Sequence, residues 1–266
     1  MVGEMSVYSK FHAQESGGSP EVMLEVKGLC KKNNFADVSF SLMKGEVLGI
    51  TGLLGSGRTE LASALFGILP ADSGTIYLEN KQVRILSVQD AVTNGIAYVP
   101  EDRLTQGLVM NYPQRDNIVL ATLANFTKNG LLDEPTITEV SQGWVSSLKI
   151  KTDDHFKKVS TLSGGNQQKV VLAKWLEMNP KVLILDGPTV GVDVGAKAGI
   201  FKIIHEMVEK LGMSVILISD EIKEITANCQ RVLVMQNGRI CSCLEKAEEI
   251  DDSNIQAILD MQKKSV

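Results

Sequence analysis

Residues 52–59 form a glycine-rich segment between a short apolar run and a stretch with helical periodicity. The apolar run, residues 45–50, predicts a buried strand, and residues 60–66 predict an amphipathic helix. A glycine loop between a strand and a helix lets consecutive backbone N–H groups surround a phosphate. This order predicts an α/β fold with a parallel central sheet and phosphate chemistry at the end of one strand.

The side chains of this loop supply a positive charge and a hydroxyl. A lysine usually follows the last glycine of such a loop, and Arg58 stands there in this chain. Arginine keeps the charge but is larger and forked, so the two residues are not interchangeable. Thr59 is placed to ligate Mg²⁺ through its hydroxyl. The alternative is a loop that keeps its fold but has lost tight binding. The candidate phosphate-binding residues here are Gly52, Gly55, Ser56, Gly57, Arg58 and Thr59.

A second glycine pair lies in Leu162-Ser163-Gly164-Gly165-Asn166-Gln167-Gln168-Lys169, called the signature segment below. The glycines let the backbone approach a phosphate closely. A helix that starts near Asn166 would point its free N–H groups and its positive dipole end at the anion. The alternative is an ordinary Ser-Gly-Gly turn that caps a helix. The candidate phosphate contacts are Ser163, Gly164, Gly165 and Gln167.

A carboxylate follows the next apolar strand. Residues 181–185 predict a buried parallel strand, and Asp186 ends it. An aspartate at this place holds the Mg²⁺ shell of a bound nucleotide in phosphate-loop enzymes. Thr59 and Asp186 are therefore the predicted metal-binding residues.

These segments together resemble one family of ATPases. The chain is similar to the second, C-terminal nucleotide-binding half of the tandem ABC ATPases of bacterial monosaccharide importers, of the ribose, galactose and autoinducer-2 type. The resemblance runs from about Met23 to the C-terminus, and it implies ATP and Mg²⁺ as cofactors. It also implies a P-loop core with a parallel central sheet, an antiparallel side sheet and an inserted helical subdomain. The segments that carry it are residues 44–46, 55–59, 101–103, 162–169 and 191–197.

Three positions depart from the catalytic pattern of ABC ATPases. Gly187 stands where the family places a glutamate that orients the attacking water, although many second halves retain that glutamate. Asp220, or Ser219 beside it, stands where a histidine faces the γ-phosphate, and Glu101 replaces a glutamine that senses magnesium and water. The resemblance therefore implies a degenerate site, and the isolated chain is predicted to be nearly inactive.

In this family two nucleotide-binding halves close face to face, and each ATP touches the loop of one half and the signature of the other. The resemblance thus implies a second nucleotide-binding half, fused or separate, membrane permease subunits and, indirectly, a periplasmic or surface sugar-binding protein. The predicted function is to couple ATP binding and hydrolysis to sugar import. The alternative is a non-hydrolysing regulatory or structural cassette. A net charge of −5 argues against a nucleic-acid partner.

The rest of the chain predicts its organisation. Residues 1–22 are polar and typical of a linker from a preceding domain, and residues 23–266 form the nucleotide-binding domain. Strands at 23–27, 38–42 and 75–78 predict the antiparallel side sheet, and Phe35 is expected in the core. The helical subdomain is predicted at residues 106–160, with residues 109–113 as the docking surface for a permease; the alternative for residues 109–113 is a solvated loop over the core.

Composition agrees with a location beside a membrane rather than within it. No apolar run approaches the ~20 residues that a spanning helix needs. The four cysteines have no metal-ligand spacing, which favours a reduced compartment. The expected location is the cytoplasmic face of the bacterial inner membrane, reached through a partner.

Overall fold

The computed structural model describes residues 21–263, which form two compact units. Unit 1 consists of the described residues up to Tyr98, of Lys181–Gly187, and of the residues from His205 onwards. Unit 2 consists of Val99–Pro180 and Pro188–Ile204. The linker predicted at residues 1–22 falls, except for its last two residues, outside the described part of the chain.

Unit 1 contains a six-stranded sheet with the order β12-β11-β3-β10-β9-β6. Strand β3 pairs in parallel with β10 and β11, β10 pairs in parallel with β9, and β12 closes the edge antiparallel to β11. Every residue of β3, β9 and β10 is buried, as expected of a parallel sheet covered on both faces. The strands are β3 (Val47–Gly52), β6 (Ile96–Val99), β9 (Val182–Asp186), β10 (Ser214–Ile218), β11 (Arg231–Gln236) and β12 (Arg239–Leu244).

A four-stranded antiparallel sheet with the order β2-β1-β4-β5 also belongs to unit 1. It confirms the predicted side sheet and adds the short strand β5 at its edge. Phe35 is 3% exposed and belongs to the core, as expected. The strands are β1 (Val22–Lys31), β2 (Phe35–Met43), β4 (Ser73–Leu78) and β5 (Lys81–Val83).

Most helices of unit 1 pack on the six-stranded sheet. Helix α1 contacts β3 and β9, α7 contacts β3, and α8 contacts β11. Gly49 in β3 faces α7 so closely that an added Cβ would lie 2.9 Å from Cys229 Sγ, so the strand needs glycine there. These helices are α1 (Arg58–Leu65), α2 (Val88–Thr93), α7 (Ile222–Asn228) and α8 (Asp252–Lys263).

Unit 2 is built mainly from helices. Helices α3, α4 and α5 pack against one another around apolar side chains such as Ile118, Ile137 and Leu172. Helix α6 (Val194–Leu211) begins in unit 2 and ends in unit 1. The other elements are a π-helical turn (Arg103–Gly107), α3 (Gln114–Val119), a 3-10 helix (Leu120–Phe126), the hairpin β7 (Thr127–Lys128) and β8 (Leu131–Leu132), α4 (Glu134–Ser147), a 3-10 turn (Val159–Thr161) and α5 (Gly164–Leu176).

The fold class agrees with the sequence prediction, and the differences are local. Helix α5 begins at Gly164 rather than near Asn166, because Ser163 is extended and serves as the N-cap. Within the predicted helical subdomain, α3 gives way to a 3-10 helix that is interrupted at Thr122, whose φ of −119° is not helical. Within residues 21–263, no helix is both long enough and apolar enough to cross a bilayer.

Candidate functional site

The loop between β3 and α1 has room only for glycine at residues 52 and 57. An added Cβ on Gly52 would lie 2.4 Å from the carbonyl oxygen of Met235. An added Cβ on Gly57 would lie 2.9 Å from the carbonyl oxygen of Asn34. Gly55 and Gly57 also have φ values of +76° and +97°, which other residues rarely adopt. The sequence therefore places glycine where the fold requires this tight loop.

The start of α1 turns backbone donors toward the loop. The first N–H groups of a helix have no acceptor within it, and in α1 these belong to Arg58, Thr59 and Glu60. The N–H of Leu61 is the first to bond back, to the carbonyl of Gly57 at 3.0 Å. Loop and helix start thus offer the donor geometry that phosphate binds.

The side chain of Arg58 is buried inside this loop. Its Nε donates to Ser56 Oγ at 3.1 Å, and its two Nη atoms donate to the carbonyls of Ser219 at 3.4 Å and Leu53 at 3.5 Å. Nη2 also forms an ion pair with Asp220 Oδ1. The predicted phosphate-binding cation is therefore held by Asp220, which stands where the resemblance places a histidine that faces the γ-phosphate. The sequence did not indicate this pairing.

Ser219, the other residue predicted for the histidine position, directs its hydroxyl toward Glu221 and Glu224. Its Oγ donates to Glu224 Oε2 at 2.7 Å and accepts from the N–H of Glu221 at 3.1 Å. Of the two residues that follow β10, Asp220 is the one whose side chain contacts the loop.

The two predicted metal ligands suit a hard cation. Asp186 ends β9, is 2% exposed, and accepts a hydrogen bond from Tyr98 Oη at 3.1 Å. Thr59 lies in the first turn of α1 with an exposed side chain, and α1 packs on β9. A carboxylate and a hydroxyl are the oxygen donors that Mg²⁺ prefers, so these residues fit the metal that the loop chemistry implies.

Gly187 has no side chain with which to orient a water molecule. Its φ is +55°, and its N–H donates to the carbonyl of Ile218 at 2.9 Å. Any side chain at this position would have to adopt a left-handed backbone, at a cost of about 1–2 kcal/mol. The backbone at residue 187, where the resemblance places a glutamate, therefore favours glycine.

In unit 2, the signature segment forms the N-terminus of α5. Ser163 is the N-cap, and its Oγ accepts from Asn166 Nδ2 at 2.9 Å. The side chain of Gln167 is buried and donates to the carbonyl of Leu162 at 3.1 Å. An added Cβ on Gly165 would lie 2.9 Å from the Cβ of Ala196, so α5 and α6 meet only because glycine stands there.

Arg103 connects the signature segment with the loop before α6. Its Nη1 and Nη2 donate to the carbonyls of Val190 at 2.7 Å and Gly191 at 3.1 Å, and its Nε donates to Gln167 at 3.4 Å. An added Cβ on Gly164 would lie 2.8 Å from Nη2. Arg103 thereby positions both segments, and no local pattern in the sequence indicated this role.

We expect Arg103→Lys to lower the free energy of unfolding by about 1 kcal/mol, because one ammonium group cannot replace a fork that serves two carbonyls. Urea unfolding measures the difference. Arg239→Lys is the matched control, since Arg239 is 62% exposed and its change should stay within about 0.5 kcal/mol. Equal losses in the two variants would contradict the positioning role of Arg103.

Lysines surround the signature segment. An open depression of about 640 Å³ is lined by Lys151, Lys157, Leu162 and Ser163, among others. Lys169 donates to the carbonyl of Lys149 at 3.0 Å. Burial, together with the charges of Lys151 and Lys149, lowers the pKa of the Lys169 amine. Asp153 also lines the depression and forms an ion pair with Lys157, so the lining carries two lysines and one carboxylate, and this excess of positive charge suits an anionic ligand.

A small apolar groove of about 170 Å³ lies elsewhere in unit 2. Its lining includes the exposed side chains of Val109, Tyr112, Leu120 and Leu132. Arg115 borders it, held by ion pairs to Asp116 and Glu134. Adjacent exposed apolar side chains with a charged rim are typical of a protein-binding surface.

Comparison with known families identifies the chain. A sequence model described as ABC transporter matches residues 35–190, more than half of the chain. The chain belongs to the ABC transporter family. Glu101, which is exposed in unit 2, lies within the matched region together with the loop after β3, the signature segment and Asp186.

Curated relatives of this ABC domain are ATP-binding proteins of import systems. The ribose import ATP-binding protein of Shouchella clausii is 44% identical over 227 residues, which cover 85% of this chain and 45% of the relative. A putative ribose/galactose/methyl galactoside import ATP-binding protein of Albidiferax ferrireducens is 45% identical over 241 residues, 90% of this chain and 47% of the relative. The chain spans about half the length of these relatives.

Solved structures agree with the ABC fold. A nucleotide-free ATP-binding cassette from an ABC transporter superposes with a TM-score of 0.76 at 24% identity, covering 89% of this chain and 98% of the other. An ATP-binding cassette in its ADP conformation gives a TM-score of 0.76 at 23% identity, covering 92% and 99%. At this identity the likeness concerns the fold alone.

Proposed function

We propose that this ABC domain is one of two nucleotide-binding halves that drive an importer of simple sugars, and that it completes the active site of the other half. One observation carries the proposal: the signature segment is complete and held in place, whereas the chain's own loop has Arg58 for the usual lysine, Gly187 for the glutamate that orients water and Asp220 for the histidine. The names of the relatives, which refer to ribose and galactose import, support the sugar substrate.

The signature segment would act on an ATP held by the loop of the partner half. Ser163, Gly164 and Gly165 would meet its γ-phosphate, with Gln167 supporting the turn from behind. The helix dipole of α5 and the nearby lysines favour a negative charge at this end. Phosphoryl transfer depends mainly on positioning and electrostatics, so a fixed cradle of this kind is a large part of what the partner's site needs.

The chain's own loop would bind ATP but hydrolyse it poorly. Gly52, Gly55, Ser56, Gly57, Arg58 and Thr59 would surround the phosphates, and Thr59 and Asp186 would hold Mg²⁺, which neutralises phosphate charge when bound. Gly187 supplies no carboxylate to the attacking water. Asp220 adds negative charge where a histidine would help, and Glu101 replaces the sensing glutamine.

The apolar groove of unit 2 is the proposed docking surface for a membrane permease. It includes Val109 and Tyr112 from the predicted segment 109–113. Docking there would bring the chain to the cytoplasmic face of the bacterial inner membrane, and a sugar-binding protein would act through the permease. We also propose residues 1–22 as the linker from a preceding domain and 106–160 as the helical subdomain of the domain 23–266.

A replacement experiment tests this function. The 227-residue stretch of the Shouchella clausii ribose import protein that matches this chain is exchanged for residues 21–263, in cells that depend on that protein for ribose uptake. We expect the chimera to restore uptake of labelled ribose, and the same protein without the stretch to give none. A chimera that accumulates normally, binds the permease and takes up no ribose would contradict the proposed function.

A further inference from the structure

We propose that Asp220 is an intramolecular competitor of phosphate: its ion pair with Arg58 must open before the loop after β3 can bind a nucleotide. The inference rests on the proposed function only in taking this loop as a phosphate site. It adds a regulatory role to a residue whose position was predicted only to lack a histidine.

Arg58 lies among neutral polar groups and one carboxylate. The guanidinium of Arg58 is buried, and within residues 21–263 its partners besides Asp220 are neutral: one hydroxyl and two carbonyls, at 3.1–3.5 Å. Asp220 is thus the charged group that balances it in the structure. Without that carboxylate, a buried cation would lie inside a loop of backbone donors, which is a strong anion site.

The Asp220 carboxylate and a bound phosphate would compete for the same guanidinium. Nη2 of Arg58 is the nitrogen that pairs with Asp220, and a phosphate bound by the guanidinium would use the same fork. If both anions stayed, like charges would lie within a few ångströms of each other, which is unfavourable. A nucleotide therefore has to displace the carboxylate.

The ion pair joins an exposed carboxylate to a buried guanidinium. The Asp220 side chain is 67% exposed, whereas that of Arg58 is 9% exposed. The carboxylate can therefore swing into solvent while the guanidinium stays in place. Since pairs with an exposed partner are worth little, the ion pair weakens nucleotide binding without abolishing it. It raises the nucleotide concentration at which this half becomes loaded.

Calorimetric titration of the purified chain with Mg-ADP tests the proposal. Asp220→Asn should bind about fivefold more tightly than the unchanged chain, because a weak ion pair with an exposed partner no longer has to be broken. Glu221→Gln is the matched control: it removes the same charge one residue further along, and should change the dissociation constant less than about threefold. Asp220→Ser, a second neutral variant, should behave as Asp220→Asn does.

A double-variant cycle separates the ion pair from simple repulsion. In an Arg58→Ala background, Asp220→Asn should lose most of its gain, since the cation that it releases is absent. A gain that persists undiminished in this background would overturn the competition model. Equal gains from Asp220→Asn and Glu221→Gln would overturn it too, as would unchanged binding in both neutral variants.

Absence of Mg-ADP binding in every variant, with folding confirmed by circular dichroism, would overturn both the competition and the assignment of this loop as a phosphate site. Failure of the ribose-uptake chimera is a separate result, because uptake depends on the signature segment and the docking surface. The two experiments therefore fail independently of each other.

Discussion

Ser163→Arg in the uptake chimera is expected to abolish ribose uptake, whereas Arg58→Ala is expected to leave a substantial part of it. Under the proposed function, Ser163 caps α5 where the backbone has to approach the phosphate held by the partner half, and side chains added at Gly164 and Gly165 would clash with Arg103 and Ala196. An arginine there would fill the phosphate cradle of the site that hydrolyses ATP. Arg58, by contrast, would serve a site at which Gly187 supplies no carboxylate.

Uptake of labelled ribose by cells carrying each variant measures this ranking. Ser147→Arg is the matched control, because it introduces the same side chain at an exposed position near the end of α4. We expect uptake with Ser147→Arg to equal that of the unchanged chimera. If Arg58→Ala stops transport while Ser163→Arg is tolerated, the assignment of active and degenerate sites is reversed.

The isolated chain should hydrolyse ATP several orders of magnitude more slowly than the ~1 s⁻¹ common among enzymes. Catalysis of phosphoryl transfer requires an oriented water and stabilisation of the γ-phosphate. Gly187 supplies no carboxylate for the first, and Asp220 brings a negative charge to the second. Phosphate release with saturating Mg-ATP gives the rate.

Turnover on the order of 1 s⁻¹ by the isolated chain would refute the degenerate site. The informative comparison is a double variant, Gly187→Glu with Asp220→His, mixed with a competent half. We expect it to gain activity over the unchanged mixture. Because Gly187 has a φ of +55°, the glutamate has to reshape the backbone, and we expect the double variant to unfold at a lower urea concentration.

The sequence was most informative where local patterns dictate structure. The apolar runs before Gly52 and Asp186 predicted β3 and β9 correctly, because a parallel strand covered on both faces needs continuous apolar residues. Asn-Gly between two apolar runs is likewise a strong local signal for a hairpin, and Asn237 and Gly238, which join β11 to β12, both have the positive φ that such a turn requires.

Contacts between distant parts of the chain could not be predicted in this way. Arg58 and Asp220 are separated by 162 positions, and no periodicity brings a loop cation and a post-strand carboxylate together. Arg103 likewise reaches Gly191, 88 positions away. Short elements such as α2 and β5 were missed because six or three residues carry too little pattern to stand out.

Counting the nucleotides trapped by a closed pair of halves distinguishes one hydrolysing site from two. This chain is mixed with a half that keeps the loop lysine, the glutamate and the histidine, and is then given Mg-ATP and vanadate. We expect one ADP to be trapped per pair, while the second nucleotide remains ATP. When the chain carries Ser163→Arg, we expect no trapped ADP. Two ADP molecules per pair, or trapping that is unaffected by Ser163→Arg, would contradict this expectation.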